Sequence, residues 1–505
     1  MRFHRRFASR AGAAVAASAV LSSGIALTAP ASAVITGTVA HVQRVADVAG
    51  HSPFAGRHCN VATPYYTSGG GKEGEPYVAV NPKLPQNRIV AYMDAARATV
   101  DVAFTRNSGR SWQRSIPRGV DGCTGNHRNK WEASGDPWVS IGPDGTAYLS
   151  ALTWAHFVTP PTDRYVSLVH VQTSTDQGQT WSKPVDLDGQ NAVSDKPMVL
   201  ANPYRAGVAY VIWRNQSFGL ATGQRARTEL LFASTHNAGR SWSPPVVIER
   251  GSESDFFGSP QLSVLRSGTL VATSSLPDTE DGNDLLGWRS TDGGRRWSRS
   301  TLIDNIPDGG NPAFCGQSAA GADTGSSAGQ QTVMHGKSIV FVYLDGTAAS
   351  SGHGRLMLAR SGDGGRTWST RTVLRSQDPI MLASVTANRH GELALLWDRV
   401  DSALIDCEAN TIPTQSLFAT SGTGGYRWSR SIAIGPRWWN LATSARGAGG
   451  FSGYFIGDYQ ALAGTPRGFT TVTVQGPSLT HRNRPPVTGA TGVIVADLDV
   501  PSPDR

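Results

Sequence analysis

One eight-residue phrase recurs through the sequence and limits what the chain can fold into. Its clearest copy is Ser361-Gly-Asp-Gly-Gly-Arg-Thr-Trp368, on the template Ser/Thr-x-Asp-x-Gly-x-Thr-Trp. Looser copies end at Trp112, Trp181, Trp242, Trp297 and Trp428. Six copies spaced by about 60 residues indicate one structural unit that is repeated along the chain.

Each conserved place in the phrase suits a tight turn between two strands. An Asp or Asn at the third place accepts hydrogen bonds from the backbone of its own turn. The Gly at the fifth place adopts positive φ without a Cβ clash, and the Trp buries a large ring beside the turn. We therefore assign a structural role, not a catalytic one, to the third-place residues Asn107, Asp176, Asn237, Asp292 and Asp363.

A second repeat lies between copies of the first. Glu75-Pro-Tyr-Val recurs as Asp136-Pro-Trp-Val and, more loosely, as Asp195-Lys-Pro-Met-Val, and weaker echoes begin at Ser259, Asp378 and Asp458. A β-rich stretch follows most of these, then a strand that ends in the eight-residue phrase, then a short strand. The pattern predicts four short strands per unit, which is typical of a β-propeller blade.

The eight-residue phrase resembles the Asp-box (BNR) repeat of the sialidase superfamily, and we call it the box. The resemblance covers nearly all of the chain after residue 33 and implies an all-β protein, a β-propeller of six or seven four-stranded blades with six Asp-box turns. Six boxed blades run from Glu75 through Ser431. The boxless unit from Gly457 to Val500 is a seventh blade or completes another blade by strand exchange, and sialidases of this superfamily have six blades. The expected domains are residues 34–72 as an N-terminal segment, 73–500 as the propeller and 501–505 as a tail.

Residues 1–33 have the pattern of a signal peptide. Four arginines precede an apolar run that ends near Leu27, and Ala31-Ser-Ala33 is a cleavage site. Removal of these four arginines, with no acidic residue among them, lowers the net charge from +8 to +4. No Lys/Arg-rich run and no long apolar segment remain, so we expect no nucleic-acid partner and no membrane span. The chain is predicted to be a secreted, soluble monomer, cleaved near Ala33, with a carbohydrate substrate or ligand.

Propeller topology sorts the charged residues by face. The boxes connect the third and fourth strands of each blade at one face, so residues that open the first strand and close the second meet at the opposite, boxless face. Near the axis we expect Glu75, Asp136, Asp195, Asp378 and Asp458, and further out Asp94, Trp154, Arg214, Asp345, Asp398 and Arg399. Three residues at or beside these positions depart from the repeat. Lys196 is inserted beside Asp195, Arg214 stands where other blades have Asp, and Tyr459 replaces a Pro.

Four cysteines in an oxidising compartment predict two disulfides, and the sequence permits three pairings. In the propeller topology all four lie in loops of the boxless face. Cys59 and Cys123 flank blade one, whereas Cys315 and Cys407 flank blades five and six. We therefore favour the pairs Cys59–Cys123 and Cys315–Cys407.

The resemblance also implies a chemistry. Sialidases use three arginines on the substrate carboxylate, a Tyr nucleophile activated by a Glu, and an Asp as acid/base; bidentate guanidinium suits a carboxylate. The family's Phe-Arg-Ile-Pro motif is absent before blade one, so topology alone places the candidates. The catalytic candidates are Asp136, Asp94, Tyr459 and Asp458. The substrate-binding candidates are Arg97, Arg214, Arg399, Lys196, Asp195, Glu75 and Trp438.

Three functions follow from these residues. The first is a secreted sialidase-like glycoside hydrolase acting on terminal sugars of extracellular glycans. The second is a propeller polysaccharide lyase with His127 or Tyr459 as the base, and the third is a non-catalytic propeller that binds glycans or proteins. Zinc, nucleotide and nucleophile-elbow motifs are absent, so neither a metal nor a cofactor is expected.

Overall fold

The structure is a computed structural model, and it describes residues 40–50, 53–54, 66–67, 73–95, 97–125, 132–159, 162–188, 193–217, 227–252, 257–278, 282–299, 301–307, 312–319, 329–334, 336–345, 354–447, 453–479 and 491–500. The predicted signal peptide, Cys59, His127 and the tail lie outside these residues.

Seven four-stranded antiparallel sheets form the blades of a β-propeller. The first six follow one another along the chain, each with its strands in chain order. The strands of blades one to three are Glu73–Val80, Arg88–Asp94, Thr99–Thr105 and Gln113–Ser115; Ala133–Ile141, Ala147–Thr159, Thr162–Ser174 and Val185–Asp186; and Ser194–Ala201, Ala209–Ser217, Arg227–Thr235 and Val246–Arg250. Those of blades four to six are Gln261–Val264, Leu270–Asp278, Gly282–Ser290 and Thr301–Pro307; Gly329–Met334, Ser338–Leu344, Gly354–Ser361 and Ser369–Ser376; and Ile380–Ala387, Leu393–Val400, Pro413–Ser421 and Ile432–Ala433. In blade six, Trp439–Asn440 also pairs with the third strand.

The seventh blade combines a strand from the start of the described residues with three strands from their end. Its first three strands are Ala461–Gly464, Gly468–Gln475 and Gly492–Asp499, and its outermost strand is His41–Asp47. His41 pairs with Asp499 and Asp47 with Ile494. The propeller therefore begins at His41 rather than at residue 73, and the seven-blade alternative holds. The N-terminal strand carries no repeat motif because it supplies one strand of a blade and none of the turns.

The boxes connect the third and fourth strands of blades one to six and so define the box face. In the fifth box, Asp363 Oδ1 accepts hydrogen bonds from the Thr367 and Arg366 N–H groups, both at 3.0 Å, and from Ser361 Oγ at 2.8 Å. Asn107, Asp176, Asn237 and Asp292 accept the equivalent N–H bond at 2.9–3.0 Å. The fifth-place glycines have φ of 74–90°, in the region open to glycine.

A small sheet lies over the boxless face in addition to the blades. It pairs segments from three loops in the order Ala313–Phe314, Gln317–Ser318, Gly453–Phe455, Ala445–Gly447 and Tyr66–Thr67, and we call it the cap sheet. Two 3-10 helices, Ser402–Leu404 and Leu441–Thr443, lie in the loops of blade six and the linker to blade seven. Apolar side chains, among them Phe314, Leu382 and Tyr454, form one buried cluster beneath the cap sheet.

A disulfide between Cys315 and Cys407 ties the loop before blade five to blade six. Cys123 is also disulfide-bonded, while its predicted partner Cys59 lies outside the described residues. Among the described residues no helix is long and apolar enough to cross a membrane.

Candidate functional site

A bulge near the start of the first strand shapes the axial end of four blades. In blades one, two, three and six, two residues of the first strand oppose one residue of the second. The first bulged residue has positive φ in each blade, between 50° and 54°, and these residues are Glu75, Asp136, Lys196 and Leu382. Such a bulge re-aims a side chain, and here charged side chains from three blades converge at the propeller axis.

This register corrects the alignment of blade three. The sequence pattern aligns Asp195 with Glu75 and Asp136 and makes Lys196 an insertion. The structure places Lys196 at the bulge and Asp195 one residue earlier, where blades one and two have Gly74 and Gly135. Pro197, which follows Lys196 as Pro follows the acid elsewhere, is the sequence signal that identifies the correct alignment.

Lys196 is the centre of a carboxylate cluster. Its Nζ lies 3.2 Å from Asp136 Oδ2 and 3.7 Å from Glu75 Oε1, and it contacts Asp458 Oδ2. The Asp136 N–H donates to Glu75 Oε2 at 2.9 Å. The Lys196 side chain is 12% exposed and that of Glu75 is 3% exposed, so these charges interact with little screening by water.

Asp195 and Arg214 form a second ion pair beside this cluster. Arg214 Nε donates to Asp195 Oδ2 at 3.1 Å, Nη2 contacts the same oxygen, and Nη1 donates to the Phe257 carbonyl at 2.5 Å. Asp195 Oδ1 accepts the Lys196 N–H at 2.9 Å. Since Arg214 is buried and its guanidinium is engaged, its contacts here are to the protein rather than outward to solvent.

Tyr459 completes the site with an aromatic wall. Its ring lies 5.2 Å from that of Trp138 and 6.2 Å from that of Tyr77, and the Tyr77 and Trp138 rings stack at 3.7 Å. The Tyr459 hydroxyl donates to the Pro137 carbonyl at 2.7 Å. The phenol is thus fixed beside the carboxylate cluster by packing and by one hydrogen bond.

Burial and charge separate the acidities of these groups. Burial raises the pKa of Asp136 to about 6, although Lys196 lowers it, and burial with the Asp136 charge raises the pKa of Glu75 well above its usual range. Arg214 and Lys196 outweigh burial at Asp195 and lower its pKa to about 2. Burial and the Glu75 charge raise the pKa of Tyr459 well above 10. The site therefore holds a proton-carrying carboxyl next to an ionised one, a separation typical of acid/base sites.

Several predicted residues lie away from this cluster. Asp94 pairs with Glu73 and Thr99 in blade one, and Met93, not Asp94, is the register equivalent of Arg214. Because neighbouring residues of a strand point to opposite sides, this one-residue offset turns the Asp94 side chain away from the cluster. Arg97 follows Asp94 in the turn, where its N–H donates to the Asp94 carbonyl at 3.1 Å.

The blade-six candidates form a separate group. Arg399 Nη2 donates to Gln415 Oε1 at 2.7 Å, its Nε lies 3.9 Å from Asp378 Oδ2, and its guanidinium lies 5.8 Å from the Trp438 ring centre. Trp438 is 6% exposed, so it does not offer an open aromatic platform. Asp378 precedes the first strand of blade six, and the axial bulge of that blade holds Leu382 instead. The structure therefore does not bring Arg97, Arg214 and Arg399 together.

The cap sheet was not predicted from the sequence, and it lies beside the axial site. Its strand Gly453–Phe455 leads directly into the site: the Ile456 carbonyl accepts the Glu75 N–H at 3.3 Å, and a Cβ on Gly457 would lie 2.1 Å from the Glu75 nitrogen. A cavity of about 20 Å³, lined by Trp138, Leu382, Asp458 and Tyr459 among others, remains at the axis. That volume holds about one water molecule, so a larger ligand would bind above the cluster rather than inside the channel.

The chain is similar to one known protein family and to several solved structures. The model of the BNR repeat-like domain matches residues 152–398. No curated relative matches the chain by sequence. Among solved structures, the Hadza microbial sialidase Hz136 is 15% identical with a TM-score of 0.45, covering 83% of this chain and 74% of that one. Trypanosoma rangeli sialidase in complex with DANA is 14% identical (TM-score 0.43; 70% and 55% covered), and Penicillium chrysogenum α-L-arabinanase with arabinobiose is 13% identical (TM-score 0.42; 86% and 95% covered). These likenesses carry no activity over to this chain.

Proposed function

Given that the chain is a seven-bladed BNR-repeat β-propeller, we propose that it is a secreted glycoside hydrolase that acts on a terminal sugar at the boxless face. One observation carries the proposal: Asp136, with a pKa of about 6, lies at the axis beside a second carboxylate, Asp458, and both contact Lys196. Glycoside hydrolysis requires such a pair, one carboxyl to protonate the leaving oxygen and one to act as nucleophile or base.

In this proposal Asp136 is the proton donor and Asp458 is the second carboxylate. Lys196 holds both groups at the channel mouth. Burial raises the pKa of Asp136 to about 6, while burial and the Asp136 charge raise the pKa of the neighbouring Glu75 well above its usual range. Tyr459 lines the site, and its raised pKa keeps it neutral, so it is a second candidate to contact the sugar. Its high pKa counts against its use as the proton-abstracting base of a lyase.

The charge balance favours a neutral sugar over a sialic acid. Four carboxyl groups of the site, those of Glu75, Asp136, Asp195 and Asp458, face two cations, Lys196 and Arg214. Both cations are engaged with these carboxylates, so neither is available to bind a substrate carboxylate. Among the described residues the three-arginine arrangement of sialidases does not form, which removes the feature that would hold an anionic sugar.

The test measures release of a fluorogenic group from an α-sialoside and from a panel of neutral terminal glycosides. We expect turnover of a neutral glycoside that declines as the pH rises above about 6, because Asp136 then loses the proton that it donates. Asp136→Asn should lower turnover by about 10²-fold or more, the usual contribution of a general acid. Asp292→Asn, a box substitution on the opposite face, is the matched control and should retain turnover.

A non-catalytic glycan-binding protein is the second candidate. The observation that favours it is the mutual compensation of the axial charges, together with a cavity of only about 20 Å³. If the wild type binds glycans without hydrolysing any glycoside of the panel, this second function replaces the first. Faster turnover of the sialoside than of every neutral glycoside would instead refute the neutral-sugar reading.

Export belongs to the same proposal. The signal-peptide pattern of residues 1–33 and the Cys315–Cys407 disulfide support an extracellular location, because disulfides persist in oxidising compartments. Expression of the full chain in a secreting bacterial host tests it, since the mature protein should begin after Ala33 by N-terminal sequencing.

A further inference from the structure

The contact between blades seven and one differs from the other box contacts of the propeller. At five interfaces the box glycine packs against a side chain of the preceding blade so closely that a Cβ would lie 2.1–2.9 Å from it; the contacted residues are Ile89, Thr173, Phe232, Val271 and Leu358. At Gly109 of the first box, the nearest atom of the preceding blade is Asp497 Oδ2, at 3.6 Å. The first box therefore packs less closely against its neighbouring blade than the other five boxes do.

A groove of about 510 Å³ lies beside this contact on the box face, and its volume is in the range of ligand sites. The outermost strand of blade seven contributes Arg44, the turns and second strand of blade one contribute Arg88 and Arg110, and a turn of blade seven contributes Arg467. The acidic residues of the lining are Asp497 and Asp499. Four arginines against two aspartates give the groove a net charge of +2.

The contacts within the groove leave part of this charge uncompensated. Arg88 is 6% exposed and pairs through Nη1 with Asp497, while its Nε has no hydrogen-bond acceptor among the described residues. Arg44 Nη1 donates to the Ser108 carbonyl at 2.5 Å, a neutral acceptor. Arg110 and Arg467 are exposed at the rim of the groove. The groove therefore has more guanidinium charge than its two aspartates neutralise, and a negatively charged oxygen ligand would be favourable there.

We propose that this groove is an oxyanion-binding site for a sulfate or carboxylate group, separate from the site on the boxless face. Arginine presents a planar fork of N–H donors that matches the oxygens of such a group. Arg88 forms the floor of the site, and Arg44, Arg110 and Arg467 supply donors from three other segments. The oxyanion is either a free inorganic ion or a group carried on an acidic saccharide, for which the groove has room.

Isothermal titration calorimetry of the full chain tests the proposal with three probes: inorganic sulfate, a sulfated disaccharide, and the same disaccharide without its sulfate. The sulfated disaccharide should bind and the neutral one should not, and the affinity should fall as NaCl is raised, because salt screens the arginine charges. Tighter binding of the sulfated disaccharide than of sulfate assigns the site to an acidic saccharide. Equal binding assigns it to the free ion.

Arg467→Gln and Arg110→Gln should each weaken binding by about tenfold, the effect of removing one charge-assisted contact. Arg295→Gln is the matched control, because Arg295 holds the sixth place of the fourth box as Arg110 holds that of the first, and its substitution should leave the affinity unchanged. Both target residues are exposed, so the variants should keep the circular dichroism spectrum and melting temperature of the wild type. Failure of both sulfated probes to bind, or equal affinity in all three variants, would overturn the proposal.

Discussion

Replacement of Lys196 by methionine tests the physical account of the axial site most directly. The ammonium group lies 3.2 Å from Asp136 and 3.7 Å from Glu75 and also contacts Asp458, so its removal leaves three carboxylates without their shared cation. At an effective dielectric constant of about 20, the first two contacts have gross Coulomb energies of about 5 kcal/mol each. Loss of one partner of a buried ion pair usually costs about 3–5 kcal/mol of net stability. We expect a loss in that range at pH 8.

The loss should depend on pH in a defined direction. The pKa of Asp136 is about 6 and that of Glu75 is raised well above its usual range even with Lys196 present, and without the lysine both rise further. If a carboxyl has a higher pKa in the folded state than in the unfolded chain, the stability of the protein falls as the pH rises between these two pKa values. The stability of the variant should therefore be close to that of the wild type at pH 5, where these carboxyls are protonated. It should be furthest below that of the wild type at pH 8.

Urea denaturation followed by tryptophan fluorescence at pH 5 and pH 8 measures both quantities. Lys196→Arg keeps the charge and should recover most of the stability, and Lys337→Met, which removes an exposed lysine from the turn after the first strand of blade five, should change it by less than about 0.5 kcal/mol. The reasoning fails if Lys196→Met is as stable as the wild type at pH 8. It also fails if the loss is the same at both pH values, since the carboxylates would then not be its cause.

Three further variants test other parts of the propeller. Burial raises the pKa of Asp398 to about 7, so wild-type stability should fall as the pH rises from about 4 to 7, and Asp398→Asn should raise the melting temperature at pH 8, with a smaller gain at pH 5. Gly294→Ala should cost about 2–5 kcal/mol in urea denaturation, because φ is 89° and the new Cβ would lie 2.1 Å from Phe232. Replacing Cys315 and Cys407 by serine, which opens a loop of 92 residues, should cost about 2–5 kcal/mol and lower the melting temperature.

Controls separate these effects from general damage. Gly268→Ala, at φ 85° but with no atom within 4 Å of the new Cβ, should cost only the backbone strain and therefore less than Gly294→Ala. Equal losses for the two glycines would show that packing between blades contributes little. A melting temperature of Asp398→Asn that tracks the wild type at every pH would show that the Asp398 carboxyl does not titrate as burial predicts.

The sequence predicted the repeated part of the fold because local physics fixes it. The box turn needs an Asp or Asn oxygen, a glycine at positive φ and a Trp, and these residue types are visible in any copy, including the fifth box around Asp363. Strand order then follows from propeller topology, which predicts that Glu75, Asp136 and Tyr459 lie on one face. All three meet there in the structure, through the contacts of Glu75 with Lys196 and Asp136 and of Tyr459 with Pro137.

The tertiary structure alone decided the features that depend on partners distant in sequence. The bulges set the register, and a shift of one residue placed Lys196 at the axis and turned Asp94 away from it. The outermost strand His41–Asp47 pairs with a strand hundreds of residues away, and the cap sheet combines two short hairpins with a segment from a third loop. Neither contains a local motif. The groove at Arg88 lies where the strand His41–Asp47 joins blade seven, beside the one box contact that is less close than the others among the described residues. Local patterns determined the blades, and long-range closure determined where their charged residues came together.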